Sequence, residues 1–132
     1  MTDLTCDVAV IGAGTAGLAA ERSARRAGAR TLLIDPAFRG TTCATVGCMP
    51  SKLLIAAARA AHDARGADAF GVRTQVDIDG PAVMTRLRAL RDDFVSSTLA
   101  SIDKLPDGVR VTASARFTGP TTLALSDGRT VS

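Results

Sequence analysis

Asp7-Val8-Ala9-Val10-Ile11-Gly12-Ala13-Gly14-Thr15-Ala16-Gly17 is the stretch that decides the fold. Its short apolar run, bounded by polar residues, reads as a buried parallel strand. Three glycines in the spacing G-x-G-x-x-G follow at once and open an alanine-rich helix over about Thr15 to Ala27. Gly12 permits the tight turn, Gly14 lets the backbone approach a pyrophosphate, and Gly17 lets the helix lie close against the strand. The helix N-terminus brings unpaired N–H groups and partial positive charge to the phosphates.

Further along, Ala16, Ala20, Ala24 and Ala27 suit close helix–sheet contact, while Arg22, Arg25 and Arg26 can lie outward. Gly28 is placed to end the helix. Thr31-Leu32-Leu33-Ile34 then reads as a second strand, with Asp35 at its C-terminal end. That is about the 20-residue distance at which an acid accepts hydrogen bonds from a ribose. The glycine pattern alone is a weak signal. Strand, glycines, helix, strand and acid in that order predict a Rossmann-like, dinucleotide-binding α/β fold.

A second informative stretch runs Gly40-Thr41-Thr42-Cys43-Ala44-Thr45-Val46-Gly47-Cys48-Met49-Pro50-Ser51-Lys52. It places two thiols with four residues between them, just downstream of the glycine fingerprint. A structural zinc site needs about four ligands. Only Cys6, Cys43, Cys48 and His62 are on offer, with no C-x-x-C pair, so no metal site is expected. Taken without context, the pair leaves two readings open: a redox dithiol, or small buried hydrophobes. Cys6 precedes the first strand without a motif partner and reads as a structural thiol.

With both stretches in view, the chain resembles the N-terminal part of the pyridine nucleotide-disulfide oxidoreductases, the flavoprotein family that includes dihydrolipoamide dehydrogenase, mercuric reductase and glutathione reductase. It keeps Gly40, Thr42, Cys43, Gly47, Cys48, Pro50, Ser51 and Lys52 of the family's redox segment. It departs at Thr41, where Gly is common, at Thr45, where Asn stands, and at Asp35, where Glu is usual. The resemblance implies that the fingerprint binds FAD, held by Gly12, Gly14, Gly17, Asp35, Thr42, Lys52 and a backbone group at Ala115. It implies a redox disulfide between Cys43 and Cys48, Cys43 exchanging with substrate and Cys48 facing the flavin. A helix starting near this motif can lower the pKa of a nearby thiol. Ser51 before Lys52 leans toward the lipoamide and mercuric branches rather than glutathione reductase.

Beyond Lys52 the chain reads as scaffold. Leu53 to Ala64 continues a helix rich in strong formers, with His62 as a surface residue. Gly66 and Gly71 mark a loop around Phe70, and Asp79-Gly80-Pro81 starts another helix. Val83, Leu87, Leu90, Phe94, Ile102 and Leu105 recur on one helical face, through to about Leu105, opposite Arg86, Arg88 and Arg91. Val109 to Phe117 alternates apolar and polar residues and predicts a half-buried strand. Thr121 to Leu125 is its return strand, Ser126 to Arg129 a turn, and Thr130-Val131-Ser132 a further strand. The fold class expected is therefore an incomplete Rossmann-like FAD-binding domain with parallel strands, crossover helices and a small antiparallel sheet.

Composition bounds the function classes. With 46% hydrophobic and 22% charged residues the sequence is that of a globular segment. No apolar run approaches the ~20 residues that span a bilayer. The net charge of +3 is dispersed along helices and aromatics are only 3%, so no nucleic-acid partner is expected. The N-terminus lacks a basic leader, and a cytoplasmic setting makes any Cys43–Cys48 disulfide catalytic rather than structural. By the resemblance, residues 1–132 form a partial FAD-binding domain with its redox segment at 40–52. The NAD(P)-binding and C-terminal dimerisation domains of a homodimeric parent are absent, and the isolated chain is inactive. The expected substrate is a dithiol or disulfide such as lipoamide. A non-catalytic FAD-binding remnant is the alternative from another class.

Overall fold

The computed structural model describes residues 3–132. In chain order the elements are β1 (Val8–Ile11), α1 (Thr15–Arg26), β2 (Thr31–Asp35), α2 (Thr42–Thr45), α3 (Cys48–Arg65), a 3-10 turn (Ala67–Phe70) and α4 (Gly80–Asp103). They continue with β3 (Arg110–Thr112), β4 (Ala115–Phe117), β5 (Leu123–Leu125) and β6 (Thr130–Val131). Two compact units result: one holds the residues up to Thr41 together with Thr98–Ser132, the other Thr42–Ser97.

The first unit carries a parallel sheet in the order β1-β2-β3 and an antiparallel sheet in the order β4-β5-β6. Val8 pairs with Thr31 and Ile11 with Ile34, while Ile34 also pairs with Val111. Central position explains why Thr31 to Ile34 are all buried, whereas the edge strand β1 leaves Val8 and Ile11 exposed. Successive β2 side chains enter opposite clusters, as the strand's period of two requires. Leu32 and Ile34 pack with Val111, Ala113, Leu123, Leu125 and Val131. Leu33 packs with Ala13, Phe38, Ile102 and Val109. Burying each such aliphatic side chain contributes about 1.5–3 kcal/mol. The N-terminal segment joins the antiparallel sheet, Leu4 N–H donating to Thr130 O at 2.9 Å and Cys6 N–H to Ser132 O at 3.1 Å. Cys6 is half-buried against this cluster, and burial pushes its thiol pKa up.

The fold class is the one expected, a Rossmann-like α/β arrangement with a small antiparallel sheet, but three details differ. The alternating run from Val109 to Phe117 is not one strand. Its first part, β3, pairs in the parallel sheet, and its second, β4, pairs with β5. The switch falls at Ala113, whose N–H donates to Asp35 O, and Ser114, whose N–H donates to Ser126 Oγ. Alternation reports which face a residue shows, not which partner it pairs with. Phe117, at the end of the run, is 70% exposed.

The packed side of α1 also differs. Ala16, Ala20 and Ala27 are exposed and Ala24 half-buried, while Glu21 is fully buried. Leu18 packs against the Leu33 cluster. The three arginines do lie toward solvent to differing degrees, and Gly28 ends the helix at φ +90°, as its lack of a Cβ allows.

In the second unit, the Asp79 carboxylate accepts the Ala82 N–H at 2.9 Å and caps the start of α4. α4 ends at Asp103 rather than at Leu105, its residues from Thr98 onward belonging to the first unit. The expected apolar stripe is only partly packed: Leu87 and Ile102 are buried, whereas Leu90 and Phe94 are exposed. His62 is exposed near the end of α3. No described helix is long and apolar enough to cross a membrane.

Candidate functional site

In the glycine loop each glycine meets a different constraint. Gly12 sits at φ +97°, a left-handed conformation that disfavours any side chain, and its N–H donates to Ile34 O at 2.7 Å. A Cβ on Gly17 would lie 1.9 Å from the Gly12 carbonyl oxygen, so α1 can approach the loop this closely only with glycine there. Gly14 is the opposite case. It is the N-cap of α1 at φ −76°, makes no side-chain cap bond, and has nothing within 4 Å of where its Cβ would stand. The first N–H groups of a helix have no intrahelical acceptor. Open space over such an end suits the oxygens of a diphosphate.

Asp35 closes the loop from below. Its Oδ2 accepts the Ala13 N–H at 2.9 Å, and its Oδ1 accepts those of Ala37 at 2.9 Å and Phe38 at 2.7 Å. Burial pushes the carboxyl pKa up, but the three backbone donors outweigh it and hold the group below its usual range. The turn they stabilise includes Phe38, a non-glycine residue at φ 45°. Its ring is buried beneath the Arg110 guanidinium, 5.3 Å from the ring centre, in a cation–π contact.

Sequence reasoning missed Glu21. Its carboxylate is 1% exposed and accepts from Arg25 Nε at 2.7 Å and Thr31 Oγ1 at 2.9 Å, tying α1 to the start of β2. The signal was present as an acid four residues before an arginine.

The second unit brings the two cysteines together. Cys43 lies within α2 and Cys48 is the first residue of α3, and both are free thiols. The two thiols adjoin, and the backbone N–H groups of Cys48 and Met49 face the Cys43 sulfur. The helix start thus acts to lower the Cys43 pKa, as expected. The contact with Cys48 acts more strongly the other way, helped by burial and the neighbouring thiolate charge, and the net direction is up. Gly47 makes the short link possible: its N–H donates to Thr42 O at 2.8 Å, and a Cβ there would stand 3.0 Å from that oxygen. Thr45 Oγ1 donates to the same carbonyl at 3.5 Å.

Thr42 opens α2 and is exposed. Lys52 is exposed one turn after Cys48, on the same side of α3 by its i,i+4 spacing. Ala115, half-buried, opens β4 opposite Leu125 in the first unit. Among the described residues no group of three or more His, Cys, Asp or Glu is placed to hold a metal ion.

The arrangement can hold a dinucleotide diphosphate at an uncapped helix N-terminus, and it can cycle two adjoining thiols through a disulfide. The residues fit FAD on the space above Gly14, which a side chain would fill.

A family profile described as pyridine nucleotide-disulphide oxidoreductase matches residues 6–130. A dihydrolipoyl dehydrogenase of Thermus scotoductus is 34% identical over 119 residues, which are 88% of this chain and 25% of that protein. A mercuric reductase of Streptomyces lividans is 41% identical over 81 residues, 60% of this chain and 17% of that protein. Among solved structures, the Cu(II) complex of the HOCl-induced flavoprotein disulfide reductase RclA from Escherichia coli superposes with a TM-score of 0.65. It is 21% identical, and the match covers 99% of this chain and 27% of that one. The chain spans about a quarter or less of the length of these proteins.

Proposed function

Because the chain belongs to the pyridine nucleotide-disulphide oxidoreductase family, we propose that its 132 residues are the FAD-binding, disulfide-carrying N-terminal part of a dihydrolipoyl dehydrogenase-like enzyme. The observation that carries this reading is the pair of adjoining free thiols at Cys43 and Cys48 in a chain that also forms the glycine loop.

Gly12, Gly14 and Gly17 shape the diphosphate seat, Asp35 lies at the adenosine end, and the backbone of Ala115 borders the adenine. Thr42 and Lys52 contact the flavin half. Cys43 is the sulfur attacked by substrate. A dithiol thiolate bonds to Cys43 and the Cys43–Cys48 bond breaks, releasing Cys48 as thiolate. The second substrate thiol then attacks its own mixed-disulfide sulfur, so the substrate leaves oxidised and both protein thiols are reduced. FAD held by these residues would supply the acceptor for that electron pair, with NAD(P) as the final acceptor in a complete enzyme.

On this reading the substrate is a lipoamide-type dithiol, the parent enzyme is a homodimer in the reducing cytoplasm, and the isolated segment does not complete turnover. The long match to the Thermus relative favours the lipoamide branch. The match to the Streptomyces protein supports mercuric-ion reduction as the second reading.

The test is to add FAD to the purified chain, remove the excess, and record whether yellow flavin stays bound. Dihydrolipoamide is then added to the oxidised protein. Retained flavin, new free thiols at Cys43 and Cys48, and absorbance beyond the flavin's own bands are expected. No retained flavin and no dithiol consumption would overturn the proposal for this chain.

A further inference from the structure

We infer that the second unit carries a self-complementary face on α4, and that a second copy of this chain packs there with its own α4 running antiparallel. None of the residues involved belongs to the glycine loop or the dithiol, so the inference stands apart from the flavin reading. Val83, Leu87, Leu90 and Phe94 follow one another at steps of four, three and four residues, the heptad spacing of a helix–helix seam. Exposure rises along it: Leu87 is 7% exposed, Leu90 37% and Phe94 46%. The unit thus covers the start of the seam and leaves its second half to solvent. Its own core is small, since Ala44 and Leu87 are the buried hydrophobic residues among those described in it.

Arg86 and Asp93 flank the seam on one side, each directly before a seam residue, and both are exposed. Seven residues of helix separate them by about 10 Å along the axis, too far to pair within one copy. Arg91 is different, pairing with Asp92 at 2.7 Å. Neither Arg86 nor Asp93 takes part in an ion pair among the described residues.

An antiparallel α4 about a two-fold axis beside Ala89 and Leu90 sets Arg86 against the second copy's Asp93, and Asp93 against its Arg86. Leu90 then lies beside its own image. A parallel arrangement would oppose like charges at both positions, which disfavours association. A face whose flanking charges are matched by its own reversed image is the mark of an isologous contact, and this is what selects a second copy as the occupant. A contact of about three helical turns on each side lies at the low end of interface sizes, under about 1,200 Å². The dimer is therefore a weak one that forms as concentration rises.

Sedimentation of the 132-residue chain at concentrations up to about 1 mM should show a monomer–dimer equilibrium. Arg86→Glu makes the flank wholly acidic, and Asp93→Arg makes it wholly basic. Each variant alone should dimerise at least about tenfold more weakly than the unaltered chain. An equimolar mixture of the two should recover dimerisation to within about threefold of the unaltered chain, because each acidic flank then meets a basic one. Such recovery cannot come from variants that fail to fold.

A chain that stays monomeric throughout would overturn the inference and leave the face to another occupant, a segment of a longer chain or a different protein. Dimerisation that neither variant changes would put the contact on another surface, and weakening without recovery in the mixture would exclude the antiparallel register. Either result also overturns it. Flavin retention, measured on the same samples, decides the functional reading separately.

Discussion

A Cβ on Gly17 would stand 1.9 Å from the carbonyl oxygen of Gly12, whereas one on Gly14 would meet nothing within 4 Å. Two glycines of one loop thus differ, one required by packing and the other facing open space. Gly17→Ala should destabilise the chain by about 3 kcal/mol or more, since backbone rather than a side chain must give way. Gly14→Ala should change stability by no more than about 1 kcal/mol and yet weaken FAD retention. Thermal unfolding without FAD and flavin titration separate the two. Equal loss of stability in both variants would contradict the assignment.

Cys48 raises the pKa of Cys43 through their contact, while two backbone N–H groups act to lower it. Cys48→Ala removes the raising contact and leaves those donors in place. More Cys43 is then thiolate at neutral pH, and its alkylation by iodoacetamide should be faster than in the unaltered chain. Mass spectrometry of the modified peptide across pH gives the midpoint. A slower or unchanged rate would show that the contact with Cys48 does not hold the Cys43 pKa up.

Asp7 fastens the start of β1 to the start of β2. Its Oδ2 accepts the Arg30 N–H at 2.8 Å and its Oδ1 accepts Arg30 NH2 at 2.8 Å. The guanidinium hydrogen bond, then the backbone bond, bring its pKa from 3.8 to about 2. Because the folded value is the lower one, this contact contributes fully above the ordinary carboxylate range and is lost as pH falls through about 2. Arg30→Ala should return the Asp7 titration toward its ordinary range, as read by NMR on the carboxyl carbon. A midpoint that stays near its original position would exclude the guanidinium as the main cause.

Glu21 joins Arg25 and Thr31 inside the first unit. Glu21→Ala leaves the buried Thr31 hydroxyl without its acceptor and should cost about 1–3 kcal/mol. Glu21→Gln keeps an oxygen for Thr31 and should cost less. Urea unfolding measures both, and equal losses would show that the hydrogen bond to Thr31 contributes little.

The elements around the glycine loop were legible because each follows from a short-range rule. Gly12, Gly28 and the apolar runs of β1 and β2 specify turn, helix end and strands almost residue by residue. The face of α1 was not legible in the same way. Its alanines tolerate either environment, so their spacing did not reveal that Glu21 would be inside. Nor could alternation from Val109 to Phe117 show that the run changes sheets at Ala113, because pairing depends on residues far away in sequence. The adjoining thiols were expected from the family resemblance, since a four-residue gap by itself left an inert pair open. The spending of the Asp35 carboxylate on Ala13, Ala37 and Phe38 was not expected, since an acid at a strand end looks the same whether it faces ligand or backbone.

The pairing of β2 with β3 has a consequence for how the chain is made. Val111 must find Ile34 after every residue of the second unit has been synthesised between them. Contacts so distant in sequence form late, because the intervening chain must be closed into a loop first. The second unit can therefore emerge and acquire its helices before the parallel sheet has its third strand. On the ribosome, the unit that begins first is completed last.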